Sequence, residues 1–421
     1  MSDMHDLLSK NNIHSPIMYL KTFAKWMAFS LLMGIVCGLA GTLFHHTVDY
    51  VTEMRTLYHV LLLPFAGLFI VFLYHICGME HDRGTNTVLE AVQTRSHVPA
   101  RMAPLIFVAT SLSHAFGGSV GREGAALQIG ASIGNMLGGI SNLDDTDNRI
   151  ITMCGMSALF SALFGTPVAA AIFSMEVASV GVIYYGAMIP GMIAAIISYY
   201  VADLFGVVPV HFLLEHTPNN SIITTFQTVL AAILFSLVGI LFCITMQQIG
   251  KLYRRYFKNP YVRIFVGGCI IAALTLLIGS QDYNGAGMSI ITKAIQGNAK
   301  PEAFFIKLLF TALTLGAGFK GGEIIPAFFV GSTFGAAVGP LLGLDPGFCA
   351  ALGLLGVFCS VVNTPLATMF LGIELFGTDG LLYFGIVCAI THMLSGNFSL
   401  YSSQQILYNK SKPVYGKVSK P

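Results

Sequence analysis

The hydropathy of the chain rises and falls in apolar runs long enough to approach the width of a bilayer. They cover Phe23–Phe44, Leu61–Ile76, Leu105–Ala115, Ile151–Phe164, Val182–Val201, Ile222–Met246, Val262–Ile278, Phe304–Leu315, Gly347–Val362 and Leu381–His392. Two more, Ala125–Ile140 and Ala327–Leu342, follow glycine-rich stretches. Each run predicts a helix, because a helix satisfies its own backbone groups where no water can. Several fall short of the ~20 residues that a perpendicular span needs. Breaks at Gly117–Gly124, Gly165-Thr166-Pro167 and Gly316–Gly322 interrupt them. Irregular backbone at membrane depth is tolerated only inside protein or beside a water-filled cavity. The pattern therefore predicts an all-α polytopic membrane protein whose short, broken helices meet at mid-membrane.

The runs repeat. Gly155–Glu176, which contains Thr166-Pro167, matches Gly353–Glu374, which contains Thr364-Pro365, at an offset of 198 residues (365 − 167, 374 − 176). Upstream the offset is 201: Gly84 falls on Gly285, Gly117 on Gly318, Gly121 on Gly322, Gly130 on Gly331 and Gly134 on Gly335. The polar loop Gly139–Asn148 accounts for the three-residue difference. The expected division is a cytoplasmic N-terminal segment 1–19, a first membrane repeat 20–215, a second 220–410 and a short tail 411–421, with no soluble regulatory domain expected. About seven apolar segments separate Gly84 from Gly285, and an odd number inverts the second repeat. Inverted repeats place a substrate site at their interface near the midplane.

Composition agrees: 55% of the 421 residues are hydrophobic and 10% charged, so a polar coat is out of reach. The net charge of +2 gives no footprint for nucleic acid; Lys251–Lys258 and the tail Lys410–Lys420 read as cytoplasmic flanks. The eight cysteines stand singly, mostly in apolar runs, and read as small interior hydrophobes. The first 17 residues are polar and offer no signal peptide. The histidines show no metal-ligand spacing, so neither metal nor cofactor is expected.

Against this background Gly121-Arg122-Glu123-Gly124 stands out, two charges between apolar runs. An ionisable residue at the bilayer centre costs about 2.5–3.5 kcal/mol on insertion scales. Such a residue needs a partner, a cavity or a task. Gly84-Thr85-Asn86-Thr87-Val88 and Gly321-Gly322-Glu323-Ile324-Ile325-Pro326 also join flexible backbone to the start of a helix. The free amides of three converging helix N-termini can hold a small anion without a full cation.

These residues resemble the CLC family of anion channels and proton-coupled antiporters, over nearly the whole chain from Gly84 to Gln405. Gly121–Gly124 looks like the family's second signature, and the resemblance implies that Glu123 is a gate whose carboxylate competes with the anion and carries a proton. Gly322–Pro326 stands at the third signature, Gly-x-Phe-x-Pro, with Ile324 in place of Phe. The amides of Ile324 and Ile325 are then expected to face the anion, and Tyr401 to close its inner side. Anion contacts are also expected from Gly84, Thr85, Asn86, Thr87, Gly121, Arg122 and Gly124. Departures tilt the reading. The first signature, Gly-Ser-Gly-Ile-Pro, has become Gly84–Val88, and the extra inner glutamate of chloride/proton antiporters is replaced by Val177. Glu323 has entered the third motif. An altered first motif with a glutamate in the third resembles the bacterial fluoride/proton antiporter branch, although Ile325 and Ala125 replace its hydroxyl residue and threonine.

Fluoride is strongly hydrated, and Thr85, Asn86 and Thr87 add donor capacity; Glu323 adds a second titratable group. The expectation is a multi-pass protein of the cytoplasmic membrane that exchanges a halide, fluoride before chloride, for protons. The resemblance further implies a homodimer. A chloride/proton antiporter or a passive chloride channel is the alternative. An intramembrane enzyme needs a second catalytic group beside the buried carboxylates, and none is evident. Arg122 could form a buried ion pair, Glu323 could pair with Lys320, and Glu176 and Glu374 read as capping residues.

Overall fold

The computed structural model describes residues 16–94, 96–407 and 410. The N-terminal segment expected over 1–19 therefore lies largely, and the tail 411–421 wholly, outside the described residues. Sixteen α-helices are present among the described residues. In chain order they are α1 (Pro16–Glu53), α2 (Leu63–Ile76), α3 (Thr85–Thr94), α4 (Met102–Ala115), α5 (Glu123–Ile140), α6 (Asp145–Phe164), α7 (Pro167–Glu176) and α8 (Met188–Leu204). The second set is α9 (Ile222–Tyr256), α10 (Pro260–Ile278), α11 (Met288–Ile295), α12 (Ala303–Ala317), α13 (Ile324–Leu342), α14 (Pro346–Val362), α15 (Pro365–Phe376) and α16 (Leu381–Leu394). Two short strands, β1 (Ser179–Val180) and β2 (Gln405–Ile406), pair in parallel.

Local chemistry sets the boundaries. Asp144, Ser221, Asn259 and Asp345 cap α6, α9, α10 and α14 by accepting a backbone N–H two or three residues on. Gly165 (φ 71°) ends α6 in the left-handed region and Pro167 opens α7. In the second half Asn363 (φ 59°) ends α14 and Pro365 opens α15. Asn is among the few side chains that take this conformation at modest cost, so the 198-residue offset preserves the backbone while changing the residue.

Packing is matched in the same way. α1 lies against α6 and α8, and α9 against α14 and α16; α5 packs on α6, α13 on α14, and α7 on α15. Glu176 at the end of α7 accepts from the amides of Leu366 (3.3 Å) and Ala367 (2.9 Å) at the start of α15. Glu374 in α15 returns the contact to Val168 and Ala169, both 2.9 Å. Each carboxylate thus caps the helix that carries the other.

Two expectations need correction. Eight helices, not seven segments, separate Gly84 from Gly285. The count does not fix the direction of the second half, because ten-residue α3 and α7 rise only about 15 Å. Nor is Val182–Val201 one helix: irregular chain over 182–184 and a single 3-10 turn at Tyr185–Ala187 delay α8 to Met188, because Tyr184 at ψ 74° is still outside the helical region. Among the described residues six helical stretches are long and apolar enough to cross a membrane, from Met18–Glu53 to Ile324–Leu342. The central helices are buried, whereas α1, α9 and α10 turn Leu31, Leu237 and Leu277 outward to lipid.

Candidate functional site at the meeting of helix N-termini

The breaks before α5 and α13 touch. The amide of Gly121 donates to the carbonyl of Gly322 (2.6 Å) and the amide of Gly322 to that of Gly121 (2.7 Å), an isolated antiparallel bridge between residues related by the 201-residue offset. An antiparallel pair that exchanges both bonds is what a two-fold rotation between equivalent residues produces. The approach requires glycine. A Cβ on Gly322 would lie 2.5 Å from the Gly124 amide nitrogen, and one on Gly124 2.9 Å from Gly322 Cα. The first amides of α5 and α13, which have no partner within their own helices, are thereby held facing one another across the bridge.

Glu123 is the first residue of α5 and fully buried. Its carboxylate faces the amides of Arg122, Glu123 and Ile325 without meeting full hydrogen-bond geometry at either oxygen. One oxygen occupies the space that a Cβ on Gly121 would need. The carboxylate therefore stands between the two N-termini, in the space where their partial positive charge favours an anion. Ile324 and Ile325 are buried at the opening of α13. Tyr401, also fully buried, lies within electrostatic range of both Glu323 and Glu123.

α3 supplies the third N-terminus. Gly84 (φ 62°) and Thr85 lie against Gln128 of α5, whose amide donates to the Thr85 hydroxyl (3.4 Å) and the Gly124 carbonyl (3.0 Å). Gly84, Thr85, Gln128, Gly321 and Glu323 line one cavity of about 410 Å³. A second, of about 380 Å³, is lined by Asp49, Arg55, His114 and Arg122. The first cavity reaches Gly321 and Glu323, next to Gly322 of the bridge, and the second reaches Arg122, next to Gly121.

The structure thus brings Gly84, Thr85, Gly121, Glu123, Gly124, Glu323, Ile324, Ile325 and Tyr401 to one locality. Three expected anion contacts point elsewhere. Arg122 donates to Asp49 (2.8 Å), 73 residues upstream, at the mouth of the second cavity. The Thr87 hydroxyl is directed to Asp82 (3.3 Å). Asn86 presents its carbonyl oxygen to Ser402 and Ser403. The Glu323–Lys320 pair also gives way: Lys320 bonds Asp82 (3.2 Å), whose side chain is fully enclosed.

Gln128 and Lys307 were not anticipated. Lys307 is fully buried, donates to the carbonyls of Tyr283 (3.1 Å) and Gly285 (2.6 Å), and lies 5.3 Å from the Phe329 ring. Both interrupt apolar runs, a signal as plain as Glu123 itself.

Apolar helices of unequal length, broken at a buried carboxylate with a cavity beside each break, define a membrane transporter or channel. The family model described as voltage gated chloride channel matches residues 66–396, and the chain belongs to this CLC family as a multi-pass protein of the cell membrane. It is 35% identical, over 92% of its length and 88% of the relative, to a chloride/fluoride channel protein of Pseudomonas syringae pv. tomato. An H(+)/Cl(−) exchange transporter of Vibrio cholerae is 26% identical over 84% of this chain and 82% of its own. Among solved structures, a CLC-type fluoride/proton antiporter superposes with a TM-score of 0.88 at 32% identity, covering 91% of this chain and 98% of that one. A slow cyanobacterial Cl−/H+ antiporter shares the fold, with a TM-score of 0.78 at 18% identity, over 88% and 94% of the two chains.

Proposed function

We propose that the protein exports fluoride in exchange for entering protons, working as two inverted repeats (20–215 and 220–410) within each protomer of a homodimer. The anion is held by the amides at Gly121, Gly124, Ile324 and Ile325, with Gly84 and Thr85 on the flank of the first cavity and Tyr401 closing the site. Glu123 alternates between filling this space and leaving it with a proton. Glu323 hands the proton to the first cavity, in a chain whose position 177 is valine. The observation that carries the reading is the placement of Glu123 between facing N-termini, with a second carboxyl, Glu323, one helix start away. The fluoride/proton antiporter relative at 32% identity supports the choice of ion.

The test is efflux from liposomes loaded with fluoride or chloride while external pH is recorded. Fluoride is expected to leave at least about tenfold faster, a discrimination of about 1.4 kcal/mol, with the outer medium turning alkaline. Equal efflux of the two ions would remove the fluoride assignment. Flux without a pH change would leave a channel. Glu123→Gln is expected to abolish proton movement; intact coupling in that variant refutes the role of Glu123.

A further inference from the structure

The loop that carries Tyr401 is held by more than its own neighbours in sequence. After α16 it runs through Ser399–Ser403 and is fastened at two places by residues far away along the chain. At the first, the Gln404 side chain, 1% exposed, uses all of its hydrogen-bonding capacity. Its amide nitrogen donates to the carbonyls of Val177 (2.8 Å) and Val362 (2.7 Å), one from each half of the chain. Its oxygen accepts from Ser399 Oγ (2.7 Å) and Asn363 Nδ2 (3.3 Å). Ser399 Oγ in turn accepts from the Tyr401 amide (3.1 Å). A buried amide with four partners has one orientation available to it, so it fixes the turn from which the tyrosine springs.

The second fastening is Asn86 in the first turn of α3. Its Oδ1 accepts from the backbone amide of Ser403 (2.8 Å) and the hydroxyl of Ser402 (3.2 Å). Its Nδ2 is turned the other way, 3.5 Å from the Arg83 carbonyl. Arg83 reaches the Ser402 and Ser403 hydroxyls (3.4 and 3.1 Å), and Gln93 at the far end of α3 donates to the Ser403 carbonyl (2.9 Å). Helix α3, whose N-terminus borders the anion space, therefore grips the two residues that follow Tyr401. The group that Asn86 offers to this loop is an acceptor, the wrong polarity for an anion contact.

We propose that Asn86 and Gln404 are positioning residues for Tyr401: the altered first motif encodes a latch on the tyrosine loop rather than another donor to the anion. This inference rests on the reading of Tyr401 as the inner wall of the site. Tyr401 is held by both halves through Gln404 and by α3 through Asn86, so the wall and the anion-binding N-termini keep one spacing.

The test is fluoride binding by titration calorimetry on the purified full-length protein, with liposome flux for turnover and proton coupling. The variants are Tyr401→Ala, Asn86→Ala, Asn86→Asp, Gln404→Leu and the double Tyr401→Ala/Asn86→Ala. Asn86→Ala is expected to weaken fluoride about fivefold, as the loss of an ordinary hydrogen bond does. Added to Tyr401→Ala it should cost nothing further, because a latch without a tyrosine to hold has no effect on the site. Asn86→Asp keeps the acceptor oxygen and is expected to bind fluoride within about twofold of the native protein. A direct donor role predicts the reverse, since aspartate adds negative charge and removes the N–H. If Asn86→Asp loses fluoride as fully as Asn86→Ala, or if the double variant sums the two single losses, the latch is refuted while Tyr401 keeps its role. If Tyr401→Ala itself binds and couples normally, the reading of the site falls and the latch with it. Gln404→Leu is expected to match Tyr401→Ala in affinity; should it fail to fold, the Asn86 series, on a half-exposed helix turn, decides the matter.

Discussion

Glu176 and Glu374 give the sharpest test of how the two halves are held. Each carboxylate accepts two backbone amides of the opposite short helix, at 3.3 and 2.9 Å for Glu176 and 2.9 Å twice for Glu374. Replacing Glu176 with glutamine keeps its shape but leaves one acceptor; the new NH2 faces an N–H that has nothing to donate to. Bonds to a charged acceptor are worth about 1.5–3 kcal/mol and a stranded buried amide costs about 1–3. Since the two overlap, about 2–4 kcal/mol is expected. With about 2.1 cal/mol/K of unfolding entropy per residue, 421 residues give about 0.9 kcal/mol/K. The midpoint should therefore fall by roughly 2–5 °C. A fluorogenic thiol probe reads it directly, since six of the eight cysteines are buried and become reactive only on unfolding. Glu374→Gln should shift less, because its site is half-exposed and water can take up the stranded amide. Proton coupling should survive both changes. An unchanged midpoint combined with lost coupling would refute the bracing role and make Glu176, next to Val177, a proton carrier.

Other expectations follow from individual contacts. Gly322→Ala should lower fluoride flux by about a hundredfold, the scale of an ångström misplacement at a reacting centre, because its Cβ would meet the Gly124 nitrogen at 2.5 Å; near-normal flux contradicts the facing N-termini. Arg122→Ala removes a cation from the second cavity and leaves Asp49 its other partner among the described residues, His45 (3.0 Å). Fluoride KM from that side should rise, more at about 10 mM salt than at 150 mM, where the Debye length is about 8 Å; a salt-independent change argues against an electrostatic role. Lys307→Met strips two buried carbonyls of their donor and should cost about 1–3 kcal/mol in the same thiol-probe assay; a higher midpoint overturns it.

Much of the architecture is legible in sequence because membrane insertion and glycine spacing are local signals. The breaks at Gly117–Gly124 and Gly316–Gly322 announce helix starts, and the repeat offset alone pairs them. Capping by Glu176 and Glu374 is legible for the same reason, though not that each caps the other's helix. What escapes is side-chain direction. Arg122, Asn86 and Thr87 stand in the motifs, yet their partners Asp49, Ser403 and Asp82 are chosen by tertiary approach, and for Asn86 the polarity of the contact depends on which end of the amide turns inward. Segment counting fails on direction because half-length helices look like spans in a hydropathy profile. The delayed start of α8 shows the reverse error, where continuous apolarity hides a turn.

The Gly121–Gly322 bridge has a consequence for how such a protein diverges. Its waist is made of main chain: two glycines exchanging amide bonds, with no side chain present to vary. Because a Cβ on Gly322 or Gly124 would collide with the opposite backbone, change is tolerated best at the rims, on Glu123, Glu323, Thr85, Tyr401 and the residues that hold them. Changes there can alter which ion is held, or how firmly protons are tied to it, while the main-chain contact keeps its form. The contact that ties the two halves together at the site carries no side-chain information at all.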